Sequence, residues 1–171
     1  MTTSPPIIND VITIPRNELI DPKINIIGLT KLALSEHLLK AGIEQKHLNM
    51  RLNQIWGWLY QKGITDFSKM GNISKDVKGL LSKYFSISLP AIVEKKISTD
   101  GTRKYLLRLS GGHEIETVFI PETDRGTLCI SSQVGCTLTC PFCHTGTQKL
   151  VRNLNPSEMI GQVLIAREDL N

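Results

Sequence analysis

Apolar positions recur at helical spacing through the first half of the chain and alternate through much of the second. Leu48, Leu52, Ile55 and Leu59 follow one another at steps of four, three and four. That spacing draws one face of an amphipathic helix, which stops near Gly63. Trp56 widens the face. An earlier helix is predicted from Thr30, a suitable N-cap, through Lys40, with Gly42 as its C′ stop. A later one follows Ser74 and carries Val77, Leu80, Leu81 and Tyr84. Three short amphipathic helices of this kind can share one core. Before them, residues 1–28 read as a tail, broken by Pro5, Pro6, Pro15 and Pro22, with Ile12 and Ile14 as a short strand at most.

From Pro90 the period falls to two. Ile92–Ile97 and Lys104–Leu109 flank Asp100-Gly101, a strong hairpin turn, and Gly111-Gly112 marks the next reversal. In Glu114–Ile120, the residues Ile115, Thr117 and Phe119 share one face, and Glu116, Val118 and Ile120 share the other. Thr127–Ser131 is a fourth strand. Asn155-Pro156-Ser157-Glu158 then announces a helix, with Asn155 at the N-cap, Pro156 at N1 and Glu158 closing an Asn-headed capping box. Met159, Ile160, Val163 and Leu164 supply its apolar face. Residues 127–171 therefore read strand, long loop, helix: one β-loop-α unit of an α/β domain. The expected divisions are a tail (1–28), a helical domain (29–90), hairpin and linker strands (91–121) and the start of an α/β core (122–171).

Composition changes this picture little. The 171 residues are 40% hydrophobic and 21% charged, an ordinary globular balance. No apolar run reaches the ~18 residues of a membrane span, and the first twenty residues lack the basic-then-apolar order of a secretory signal. The net charge of +4 lies entirely in residues 1–90. Such a bias suits a surface that approaches a polyanion, though a charge this small fits a solvated lysine-rich helical face more readily. The neighbouring Trp56 and Trp58 could stack on nucleotides, although helical spacing puts Trp56 in the core and Trp58 at its rim.

The four cysteines change it more. All lie between Cys129 and Cys143, a grouping that points to a metal or redox site in a reducing compartment. Cys136, Cys140 and Cys143 stand on the loop between strand and helix. Three crowded thiolates match three corners of a [4Fe-4S] cubane, whose fourth iron would be left open to a substrate, as a catalytic zinc keeps one position open. The competing arrangement is a closed zinc site completed by His144 or Cys129. That would make the chain a non-enzymatic, zinc-stabilised RNA-binding module. An iron–sulfur electron carrier is a third reading, opposed by the basic helical half and the missing fourth ligand.

Cys136-Thr-Leu-Thr-Cys140-Pro-Phe142-Cys143 resembles the radical S-adenosylmethionine signature, with an aromatic before the third cysteine. The flanking Gly126-Thr-Leu-Cys129-Ile-Ser-Ser-Gln133-Val-Gly-Cys136, Arg152-Asn-Leu154 and Ile160-Gly-Gln-Val163 are similar to the dual-specificity RNA adenine-C2 methyltransferases of that superfamily. The likeness runs over roughly residues 25–171. It implies a small helical accessory domain that binds RNA, a β-hairpin linker and the first unit of a partial (β/α)6 barrel. It implies a [4Fe-4S] cluster on Cys136, Cys140 and Cys143 that binds S-adenosylmethionine, whose reductive cleavage starts methyl transfer to C2 of adenine in ribosomal RNA and tRNA. The methyl group is carried on a cysteine.

The resemblance also assigns roles. Glu116 is the proton acceptor, and its neighbours Val118 and Ile120 predict partial burial that would suit it to base work. Cys129 assists product release by proton removal or a transient disulfide. A flavodoxin-like electron donor, a cytoplasmic location, a monomeric state and no membrane association are implied as well. Departures are His144, Lys149-Leu150 and the absence of any match to the methyl-carrying cysteine, which lies near the C-terminus of such enzymes. The chain therefore resembles their N-terminal part, and on its own is expected to be inactive.

Overall fold

Ile26 and Ile27, read from the sequence as the end of a tail, are almost completely buried in the helical core. The computed structural model describes residues 23–138 and 147–171. Its first element, β1 (Ile24–Asn25), pairs in parallel with β2 (Phe85–Ser86). Between them run α1 (Lys31–Lys40), α2 (Gln45–Trp56) and α3 (Lys75–Tyr84). Asn25 knits the two ends of this unit together: its Oδ1 accepts from Ile27 N at 3.2 Å and Ser88 N at 3.1 Å, and its Nδ2 donates to Ser88 O at 3.0 Å. Ser88 lies 63 residues away, so no local pattern marks it.

Local signals perform as expected. Thr30 caps α1 through its Oγ1, which accepts from Ala33 N at 3.1 Å, and Gly42 takes φ +102° beyond its end. Leu48, Leu52, Ile55 and Leu59 are buried. The last of these lies in a π-helical turn, Gly57–Gln61, that continues α2. Trp56 and Trp58 are both half-buried.

Four antiparallel strands follow in sequence order: β3 (Ala91–Ile97), β4 (Arg103–Arg108), β5 (Glu114–Pro121) and β6 (Gly126–Cys129). The inward face of the sheet carries Tyr105, Leu107, Ile115 and Thr117. A short ladder of β7 (Gln133–Val134) and β8 (Arg152–Asn153) comes next, which the sequence pattern did not mark, and then α4 (Pro156–Leu170).

α4 joins the two halves. Its capping box forms as predicted, with Asn155 Oδ1 accepting from Glu158 N and Glu158 Oε2 accepting from Asn155 N, each at 2.9 Å. Of the expected apolar face, Leu164 is buried, and Ile160 and Met159 pack against the two cores, but Val163 does not. Val163 is 43% exposed, whereas Gly161, Gln162, Leu164, Ile165 and Ala166 are buried. Leu164 enters the helical core, while Ile165 and Ala166 enter the core beneath the sheet. The helix is therefore covered on two sides, which a single-stripe reading cannot anticipate.

Two glycines permit this docking. A Cβ on Gly28 (φ +82°) would lie 2.5 Å from Ser157 N, and one on Gly161 would lie 2.6 Å from Pro90 Cδ. The Arg167 guanidinium then donates to the carbonyls of Tyr60, at 3.0 Å, and Gln61. The helical unit is thus completed by α4 and is not self-contained. Among the described residues no helix is long and apolar enough to cross a membrane.

Candidate functional site

The outward face of the sheet and the foot of the cysteine loop together hold the described members of the predicted site. Val118 on β5 pairs with Cys129 on β6, so their side chains share a face, and the pleat puts Glu116 on that face too. Cys129 is exposed and is a free thiol. The structure thus brings Glu116 and Cys129 to one surface on adjacent strands.

Glu116 differs from its expected setting. Its side chain is 43% exposed and pairs with Lys104, Nζ to Oε1 at 2.6 Å. Partial burial by Val118 and Ile120 does not occur, because no described layer covers this face and Ile120 is itself 43% exposed. Lys104 sits diagonally across from Glu116 on β4, where cross-strand charges meet. The sequence pattern gave no sign of this partner.

Beneath this surface lies a fully buried amide. Gln162, on α4, is 0% exposed. Its Oε1 accepts from Thr117 Oγ1 at 2.7 Å and from Ser131 N at 2.8 Å. Its Nε2 donates to Ser131 O at 2.9 Å and Glu158 O at 3.2 Å. One side chain thereby ties the back of β5, the end of β6 and α4 together with all its polar capacity used. Ser131 Oγ in turn donates to Glu116 O at 2.7 Å, which fixes the backbone that carries the carboxylate.

Each residue of the Ser131-Ser132-Gln133-Val134-Gly135 stretch has a partner across the loop. Ser132 O accepts from Leu154 N at 2.8 Å, and Gln133 Nε2 donates to Asn153 Oδ1 at 2.8 Å. Val134 is buried in the sheet core. Gly135 has φ +76° and lies against Lys149 O so closely that no Cβ fits between them. Cys136 N then donates to Gln148 O at 3.1 Å. The loop that begins at Cys136 therefore leaves and re-enters the fold through a clamped neck.

At that neck Cys136 is half-buried and free, and Leu138 N donates to its Sγ at 3.3 Å. An N–H aimed at sulfur is the kind of contact that tunes iron–sulfur ligands. The Cys136 environment fits a cluster ligand. Cys140, Cys143 and His144 lie outside the described residues.

The neck is braced by an ion pair whose carboxylate is nearly buried and whose guanidinium is partly exposed. Arg152 donates from both terminal nitrogens to Glu158, at 2.7 and 2.8 Å. The Arg152 hydrogen bonds hold the Glu158 carboxyl below its ordinary pKa against the opposing effect of burial. At the other end of α4, Asp169 accepts from Lys95 at 2.6 Å, Arg103 at 2.7 Å and the Tyr105 hydroxyl at 3.0 Å. The Lys95 hydrogen bond foremost, then those from Arg103 and Tyr105, lowers its pKa to about 2. Gln162 and Asp169 escaped the sequence reading. The one available signal was a polar residue at position 162 within the helical row formed by 158, 165 and 166.

Residues 24–87 match the family described as the ribosomal RNA large subunit methyltransferase N-terminal domain. Over 170 residues the chain is 58% identical to the dual-specificity RNA methyltransferase RlmN of Ruegeria sp., covering 99% of this chain and 43% of that protein. The RlmN of Paracoccus denitrificans is 59% identical over 165 residues, 96% of this chain and 42% of its own length. The chain thus spans less than half the length of these relatives. Among solved structures, a radical SAM methyltransferase from Sphaerobacter thermophilus matches with a TM-score of 0.75 at 34% identity, covering 86% of this chain and 44% of that one.

Proposed function

We propose that this chain is part of an RlmN-type dual-specificity RNA methyltransferase, the relatives it matches over nearly all of its own length, and that it supplies the RNA-facing helical domain and the cluster loop of an enzyme that methylates C2 of adenine in 23S ribosomal RNA and tRNA. Cys136, Cys140 and Cys143 would hold a [4Fe-4S] cluster with S-adenosylmethionine at its open iron. Together these supply the one-electron chemistry that an unreactive ring carbon requires.

The clamped neck at Cys136 is the observation that carries this reading. Gly135, the Gln162 amide and the Arg152–Glu158 pair hold both ends of the loop on rigid elements. A cofactor loop needs such support, because a site is only as well placed as the groups behind it. Glu116 is the proposed proton acceptor. Its carboxylate is open to an incoming substrate, with Lys104 setting its orientation. Cys129 lies on the same face as the group that assists product release, by proton removal or through a transient disulfide. The 171-residue chain contains no match for the methyl-carrying cysteine, and turnover by it alone is not expected.

Metal content tests the reading on protein reconstituted anaerobically. Cys136→Ala, Cys140→Ala and Cys143→Ala are each expected to lose iron and its broad visible absorption. Cys129→Ala and His144→Ala are expected to keep both. Zinc in place of iron, lost in Cys129→Ala or His144→Ala, would replace the cluster with the zinc-stabilised module.

A further inference from the structure

The helical domain carries an open depression of about 480 Å³ on a surface remote in sequence from the cysteine loop. This is within the roughly 300–1,000 Å³ of small-molecule sites. Gly57 and Trp58 are among its lining residues. Both lie in the π-helical turn that ends α2, where Lys62 N reaches back five residues to Gly57 O at 3.0 Å. Single π-turns of this kind are frequently found at functional sites.

Four amides ring the depression: Asn53, Gln54, Gln61 and Asn72. Asn72 Oδ1 accepts from Trp58 Nε1 at 2.5 Å, which locks the indole plane and leaves the Asn72 amide N–H groups for another acceptor. Gln61 is exposed. No carboxylate lines the site, and three cations lean on it. Lys62 Nζ stands 3.7 Å from the Trp58 ring centroid, Arg51 donates to Gln54 Oε1 at 2.9 Å, and Lys31 donates to Asn53 Oδ1 at 3.4 Å. The surrounding domain, residues 24–90, has nine lysines and arginines against four acids.

We infer that this depression takes one unpaired RNA nucleotide, with its base on the Trp58 indole and its phosphate on Lys62. The inference rests on the RNA reading above and adds a place where single-stranded character is sensed. An aromatic plane, amide groups able to meet a base edge and a mobile cation are the parts from which single-strand sites are built. Lys62 covers the indole in the free protein. It exchanges that cation–π contact for a phosphate when a base takes the ring face.

The test uses the 171-residue chain, a short fluorescein-labelled oligouridylate and a blunt RNA duplex of matching charge, read by fluorescence anisotropy. Trp58→Ala is expected to weaken oligouridylate binding by roughly five- to a hundredfold, the scale of one base–aromatic stack. Trp58→Phe should keep most of the affinity, and neither variant should change duplex binding. Should Trp58→Ala lose its far-UV signature, the exposed Gln61→Ala takes its place, with a loss of about threefold confined to the single strand.

Unchanged oligouridylate binding in the substituted protein overturns the pocket and leaves the family reading standing. An equal loss on the duplex also overturns it, because the surface would then read phosphate alone. If the unsubstituted chain binds neither RNA, the RNA-facing role of this domain falls together with the pocket.

Discussion

Replacing Gln162 by leucine removes the one side chain that joins β5, the end of β6 and α4. Leucine nearly matches glutamine in size, so packing changes little and the loss falls on polar groups. The Thr117 hydroxyl, on a residue 1% exposed, loses its acceptor, as does the Ser131 N–H. Glu158 O keeps its place in the helix ladder, and Ser131 O lies on a half-buried residue that water can reach. The fully buried Thr117 hydroxyl and the half-buried Ser131 N–H are therefore stranded. At about 1–3 kcal/mol for each stranded group, less a partial offset from burying leucine, the expected cost is about 2–5 kcal/mol.

The assay is urea unfolding followed by circular dichroism, with the midpoint shifted and the slope unchanged. The cause is isolated by a double-mutant cycle. Thr117→Val alone strands the Gln162 oxygen only in part, because Ser131 N still binds it. The pair Thr117→Val/Gln162→Leu should recover about 1–2 kcal/mol of the summed single losses, since both partners are then apolar. A loss below about 1 kcal/mol for Gln162→Leu, or strict additivity in the cycle, would refute the claim that this amide holds the site together.

Two further substitutions probe the ends of α4. The folded-state pKa of Asp169 is lowered from 3.8 to about 2. Its stabilising contribution is therefore complete above 3.8 and is lost as pH falls toward 2. At 1.36 kcal/mol per unit it amounts to at most about 2.4 kcal/mol, and Asp169→Asn should flatten the acid limb of a urea-midpoint profile by that amount. Arg152→Ala strands the Glu158 carboxylate, whose side chain is only 8% exposed. It should lower the unfolding midpoint, with partial recovery in Arg152→Ala/Glu158→Gln when both are measured by thermal unfolding.

The features that could be read along the chain are those settled by near neighbours. The Thr30 cap, the Asn155–Glu158 capping box, the Asp100-Gly101 turn and the Leu48–Leu59 stripe each depend on residues within a few positions, so each could be read directly. The motif around Cys136 was legible for the same reason. Long-range packing, in contrast, puts Ile26 and Ile27 in the core, covers α4 on two sides, and leaves Glu116 in the open beside Lys104. Gln162 meets Ser131 across 31 residues, and Asp169 meets Lys95 across 74. Such partners leave no periodic trace, because a buried amide or carboxylate is acceptable at its position only through groups that the rest of the fold brings to it.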